Sequence, residues 1–424
     1  FFPVAVFRNP LTRTQKVVNM ALVYPFAAVM AAPGRAAAVA TLPYDVMNRS
    51  EAAAMAAGKP SSFLHVTRSE IDLPEDVSPY ADAVYAKAKE NWLALCQNAL
   101  VQDDKPAYYV YSLVMKGRRQ TGVVAAAAVD DYDHNVIRKH EKTRKEKEDD
   151  RTRHISTLRA QTGPVFLTYR DSDAINAIVN KTMQDAPLFD FTAEDGVRHS
   201  GWRVGSNDCA TLQNAFAEVP VLYIADGHHR AASASRTRAL LASQGQAGSA
   251  DRFLAVIFPA GQLQILPYNR LVFDLNGRSD EQFLADIKAV CTVSPATQAE
   301  PAGAGMVHMF FQQRWWTLDL RAKVATATTA IDKLDVSILQ ANILQPILGI
   351  DDPRTSKRID FVGGIRGTGE LEKRVNSGEA KVAFAMTPTT VDQLMAIADA
   401  DAIMPPKSTW FEPKLRDGLF VHSI

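Results

Sequence analysis

A short apolar run, Val221-Leu222-Tyr223-Ile224-Ala225, ends abruptly on Asp226-Gly227-His228-His229-Arg230 and passes into an alanine-rich stretch, Ala231-Ala232-Ser233-Ala234. The run reads as a buried strand and the stretch after it as a helix. Between them only Gly227 can take the positive φ that a sharp turn needs and other residues avoid. The chain is therefore committed here to strand, turn and helix. The first-turn N–H groups of that helix are unpaired and carry partial positive charge, which makes the turn a ready site for phosphate. His228, His229 and Arg230 add donors at the same end. Cations there oppose the helix dipole, and a bound anion offsets that cost. Asp226 is suited to hold a metal ion or to accept a proton. The plainer alternative is that Asp226 caps the helix while the histidines pack or face solvent. Five polar or small residues directly after a buried strand favour a site.

With 424 residues, of which 47% are hydrophobic, the chain can bury a large core in two or three domains or one two-lobed body. Lys+Arg and Asp+Glu both number 47, so the formal net charge is zero. That balance gives no long-range pull on a polyanion and disfavours nucleic acid as a partner. Cys96, Cys209 and Cys291 are odd in number and widely spaced, which fits thiols in a reducing compartment rather than disulfides or zinc. Residues 17–32 superficially copy a signal peptide, but the run is short for a membrane span and Pro25 interrupts it. Position 1 is not Met, and Met20 opens a segment reading as a first strand over Val23–Val29. Residues 1–22 are accordingly read as an extension from a mis-called start, and the protein as cytoplasmic and free of membrane.

Turn residues between apolar runs predict three hairpins: Tyr108–Met115 with Gln120–Ala128, Phe253–Phe258 with Gln262–Leu266, and Val307–Phe311 with Trp315–Leu320. Further strands are expected at Val165–Tyr169, Val219–Ile224 and Val382–Met386. Helices are expected at Glu51–Ala57, Tyr80–Ala99, Ala231–Ser243, Asp280–Val290 and Leu334–Leu348, and after a Thr389 or Thr390 cap. Hairpins with interspersed helices argue for an α+β fold of mixed sheets rather than a doubly wound one. Loose composition at Ser294–Gly305 sets the expected boundary between a catalytic region, 23–293, and a C-terminal α+β region, 306–424, that closes the site.

D-G-H-H-R at a strand-to-helix turn is similar to the phosphate-binding box of the ParB/sulfiredoxin superfamily, whose free-serine kinases use such a sequence. A wider set of segments resembles the bacterial family catalogued as domain of unknown function 1015. These are Leu42-Pro-Tyr-Asp-Val-Met47, Ser62-Phe-Leu-His-Val66, Ile137-Arg-Lys-His-Glu-Lys-Thr143, Thr162-Gly-Pro-Val-Phe-Leu-Thr-Tyr169, Asp352-Pro-Arg-Thr355, Arg358-Ile-Asp-Phe-Val-Gly-Gly364 and Met404-Pro-Pro-Lys-Ser-Thr-Trp-Phe-Glu-Pro413. The resemblance covers about residues 23–424. It implies a ParB/sulfiredoxin-like core. Genes of that family often lie beside those for serine biosynthesis, so the resemblance also implies chemistry on serine or phosphoserine.

Arg138 to His154 holds eight Lys/Arg and five Asp/Glu and reads first as a solvated, salt-bridged helix. Its start matches the family pattern, so Arg138, Lys139 and His140 become candidate phosphate or carboxylate donors and Glu141 a candidate base. Asp45 can line the same cleft, or sit in a plain turn before a helix capped by Asn48 or Ser50. Arg354 lies in a cationic, glycine-flanked loop and Lys407 in a rigid proline-led one, and both are candidate substrate contacts. Trp315-Trp316 reads as hairpin core. No P-loop, Rossmann glycine pattern, zincin or hydrolase elbow occurs. The expected function is phosphotransfer on serine or phosphoserine, by kinase or phosphatase chemistry. Asp226, His228 and Glu141 would be catalytic. Gly227, His228, His229 and Arg230 would hold phosphate, with Mg²⁺ on Asp226 and ATP, ADP or pyrophosphate as donor. The alternative is a nucleotide-binding switch like the ParB branch, without metabolic catalysis.

Overall fold

The computed structural model describes residues 20–424. A nine-stranded mixed sheet carries the candidate box. In spatial order its strands are Ile137–Arg138, Leu222–Asp226, Val165–Tyr169, Arg252–Pro259, Arg118–Ala128, Tyr109–Met115, Arg198–Arg203 and Phe189–Thr192, and Val23–Tyr24 also pairs with Arg118–Ala128. Leu222–Asp226 runs parallel to Ile137–Arg138 and antiparallel to Val165–Tyr169. Alternation along the central strands explains their nearly unbroken apolar sequence. Tyr109, Tyr111, Val124, Ala126, Val256 and Phe258 face one core, which runs on into the second sheet. Tyr108, Val110, Val123, Ala125, Ala255 and Ile257 face another, covered by Ile175, Leu212, Phe216, Ala231 and Ala234 from three helices.

The second sheet is antiparallel and six-stranded, in the order Thr292–Pro295, Arg314–Asp319, Met306–Phe311, Val382–Ala385, Tyr268–Val272 and Ile359–Gly363. The fold is thus α+β with mixed sheets, as the pattern of hairpins predicts. Two of the three expected hairpins form. The other does not: Ile265–Leu266 pairs with Trp410–Phe411 instead of folding back on Arg252–Pro259. Thr292–Pro295 and the helix Asp280–Val290 already belong to the second sheet's unit, so the change of sheet falls near Pro267 rather than at 294–305. The first strand is broken at Pro25 into Val23–Tyr24 and Val29–Ala31, which join different ladders. The expected helix at Leu334–Leu348 changes hydrogen-bond pattern, with a π turn over Gln340–Leu344.

The reading of an N-terminal extension falls mostly on residues 1–19, outside the described residues; Ala21 and Leu22 already bond to the Val219 carbonyl and the Asp131 carboxylate. Among the described residues no helix is long and apolar enough to cross a membrane.

Candidate functional site

The strand Leu222–Asp226 buries Leu222 and Ile224 on one face and Tyr223 and Ala225 on the other. It ends with a register shift between Ile224 and Asp226. Gly227 then turns the chain at φ +94°, and the helix His228–Ser243 begins without a side-chain cap. The first intrahelical bond runs from the Ala231 amide to the Gly227 carbonyl. The amides of His228, His229 and Arg230 have no partner among the described residues. A Cβ on Gly227 would lie 3.0 Å from Arg230 Nε, so the glycine serves the turn and also leaves room for the guanidinium.

Arg230 is buried. Its Nη1 donates to the Pro164 carbonyl, its Nη2 lies 3.8 Å from Asp226 Oδ1, and its Nε is unpartnered among the described residues. Asp226 also accepts from Lys414 Nζ at 3.0 Å. Burial alone would raise the Asp226 carboxyl, but Lys414 and Arg230 hold it well below the usual carboxylate range. Both carboxylate oxygens thus face fixed cations. A divalent ion at Asp226 would stand beside two positive charges, so these residues do not fit the expected Mg²⁺ site. Among the described residues no three His, Cys, Asp or Glu side chains gather to hold a metal.

The box histidines grip the loop 139–144. His228 Nε2 accepts from the His140 amide at 3.4 Å, and His229 Nε2 accepts from the Arg144 amide at 3.0 Å. Each accepting Nε2 places the proton on Nδ1. Burial, with His140 close by, keeps His228 neutral by pushing its pKa well below the usual histidine value. His228 Nδ1 then lies 3.9 Å from Glu141 Oε2, across 87 positions of sequence. Glu141 keeps 47% of its side chain exposed, yet the protein around it, with Asp226, raises its carboxyl pKa. A raised carboxylate is a better base. Asp45 is exposed, and its charge reaches Glu141, His229, Arg230, Lys414 and Asp417. Lys407 sits on a loop whose Met404 amide donates to the His140 carbonyl at 2.8 Å, and its charge lowers Glu141.

Other expected contacts are not brought here. Arg138 pairs with Asp399, which also takes Arg170 at 3.0 Å and the Tyr223 hydroxyl at 2.7 Å. Lys139 lies over the Tyr132 ring at 4.0 Å. Arg354 pairs with its neighbour Asp352 at 2.7 Å on an exposed turn. His140 is buried edge-on against His228, ring centres 4.5 Å apart, and burial pushes it down to about 4. The Ile224 carbonyl acts on its ring without forming a hydrogen bond of good geometry. His140 is therefore a wall of the site and not a cationic donor. The charged run becomes a helix only from Lys145, because the residues before it form the loop held by the histidines.

Sequence reasoning followed the C-terminal arm as far as Lys407 and missed the three charged residues that end it. Lys414, Arg416 and Asp417 follow directly on the quoted Met404–Pro413 segment, which was the signal available. Arg416 binds Asp195 and donates from Nε to His199 at 3.2 Å. Asp417 is 1% exposed with both oxygens unpartnered among the described residues, and burial pushes it up to about 7. It lines a cavity of about 30 Å³ with Tyr44, Arg151, His154, Gly163 and Arg230. That volume admits a water molecule or two and no substrate.

Among known proteins, residues 23–337 match the family described as protein of unknown function (DUF1015), so the motifs beyond Thr355 quoted above and the one at 352–355 lie outside the matched stretch. No curated protein matches. Solved structures give distant likenesses. The truncated SbnI of Staphylococcus aureus is 11% identical, with a TM-score of 0.39 over 70% of this chain and 87% of that one. A free serine kinase mutant in complex with AMP is 12% identical, with a TM-score of 0.35 over 70% and 92%. A conserved hypothetical protein from Pyrococcus furiosus is 12% identical, with a TM-score of 0.34 over 71% and 95%. The match spans well over half of the sequence, and the chain belongs to the DUF1015 family.

Proposed function

We propose that this protein is a cytoplasmic enzyme that transfers a phosphoryl group to or from free serine, in the cleft between Glu141 and the helix start at His228. The observation that carries the reading is the 3.9 Å approach of Glu141 Oε2 to His228 Nδ1 beside three helix amides that have no partner among the described residues. Phosphoryl transfer needs little covalent help from a protein; it needs positioning and neutralised charge. The amides and Arg230 neutralise the phosphoryl oxygens. In the kinase direction the serine oxygen attacks the terminal phosphorus of the donor, the bond from that phosphorus to the bridging oxygen breaks, and Glu141 takes the hydroxyl proton. In reverse, protonated Glu141 returns that proton to the serine oxygen as the phosphoryl group passes to a nucleotide or to water. His228, neutral, aims its Nδ1–H toward Glu141 and the reacting oxygens. The D-G-H-H-R resemblance supports a nucleotide as donor and serine as acceptor.

The test is turnover by the purified full chain. Phosphoserine, and separately serine with ATP, ADP or pyrophosphate, are incubated with the protein with and without Mg²⁺, and phosphate and phosphoserine are followed. Turnover in one of these mixtures is expected. No turnover in any of them overturns the reading.

A further inference from the structure

The pairing at Asp226 goes beyond the general reading of a phosphate site, on which it rests. Three facts meet there. Asp226 stands two residues before the first free amide, and its Oδ1 lies 3.8 Å from Arg230 Nη2, so its negative charge is close to any phosphate the amides hold. Its Oδ2 is bonded to Lys414 at 3.0 Å, and Lys414 keeps only 13% of its side chain exposed. The arm that carries Lys414 is fixed on both sides. Trp410–Phe411 is paired to Ile265–Leu266, Asp417 to Thr41 and Val421 to Val29. A lysine on an arm pinned in this way does not wander from its partner.

We propose that Lys414 occupies the place that a divalent cation would take at Asp226, so that phosphate binding at the helix start does not depend on a metal. The ammonium cancels the repulsion between Asp226 and the bound phosphate. Lys407 and Arg144 act on Glu141, while the charges that act on Asp226 are Lys414, Arg230 and His228. A metal entering with a nucleotide would be held by the nucleotide's own phosphates and by water, and not by Asp226. Removing Lys414 leaves Asp226 Oδ2 without its cation beside the phosphate, with Arg230 still 3.8 Å from Oδ1, and only then would a divalent ion be needed there.

The experiment is calorimetric titration of the full chain with phosphoserine, in EDTA and in Mg²⁺, for the wild type, Lys414→Met and Lys414→Arg. Wild-type affinity is expected to agree within about twofold in the two buffers. Loss of a charge-assisted contact is expected to weaken Lys414→Met by about tenfold to a hundredfold in EDTA. Mg²⁺ should recover part of that loss by binding the freed Asp226. Lys414→Arg, which keeps the charge, should bind within about tenfold of wild type and reports that the arm still folds. Wild-type binding that needs Mg²⁺, or Lys414→Met binding as tightly as wild type in EDTA, overturns the proposal and leaves the phosphate site standing. Wild type that binds phosphoserine in neither buffer overturns the phosphate reading itself.

Discussion

The site is built from two stretches of very different kind, the box at 222–230 and the arm at 404–417. The box is local. Strand, glycine turn and helix are consecutive, and its free amides follow from its own hydrogen-bond pattern. The arm is remote, nearly two hundred positions on, and has little regular structure beyond Trp410–Phe411. Yet it supplies Lys414 to Asp226, Asp417 beside Arg230, and the Met404 amide that holds the His140 carbonyl. In the proposed reading the box offers the anion site, and the arm sets its charge. A helix start can be read from nine residues, whereas a counter-charge brought by tertiary folding cannot.

The comparison breaks most sharply at Glu141, which belongs to neither stretch but is placed by the box histidines. Glu141→Gln is expected to lower kcat by about 10²–10⁴-fold with the fold intact, as removal of a general base does. The acid limb of the wild-type kcat profile should lie above the ordinary Glu value, because burial and Asp226 raise this carboxyl. Within the box, Gly227→Ala forces a side chain into φ +94° against Arg230 Nε. It is expected to cost about 1–3 kcal/mol and to weaken phosphate binding, readable by denaturation and by titration. A change that spares binding would show that Arg230 does not serve the phosphate.

On the arm, Asp417 gives a stability signal of known sign. Its folded-state pKa, about 7, stands above the ordinary Asp value, so the folded protein holds the extra proton between about 4 and 7. Stability from this group is present below that window and is lost as pH rises through it. Asp417→Asn should therefore be more stable than wild type at pH 8, by about 1–3 kcal/mol in urea unfolding. A less stable variant at pH 8 would mean that ionised Asp417 is the partner Arg230 needs. Smallest of all is Arg354→Ala. Its exposed pairing with Asp352 predicts a change within about 0.5 kcal/mol and unaltered turnover.

Much of the fold was legible because it is written in short-range pattern. The hairpin across Lys116-Gly117, the helix over Asp280–Val290 and the Thr390 capping box all appear where alternation and turn chemistry place them. The misread hairpin at 253–266 shows the limit. Pro259-Ala-Gly261 looks like a turn, but Ile265–Leu266 finds a better partner in Trp410–Phe411. The same limit governs the site. Arg138, Lys139 and Arg354 are cations of the right type near the right motifs. Each is already engaged, by Asp399, the Tyr132 ring and Asp352. Composition cannot tell an engaged arginine from a free one. Lys414 went unread for the converse reason, since its partner is 188 positions away.

The most direct measurement is phosphoryl turnover between serine and phosphoserine by wild type beside Glu141→Gln, each shown to be folded and to bind phosphoserine. The account predicts turnover in the wild type that falls at least about a hundredfold in the variant while binding is kept. Equal turnover by the two would contradict the assignment of Glu141 as the base between the loop and the box.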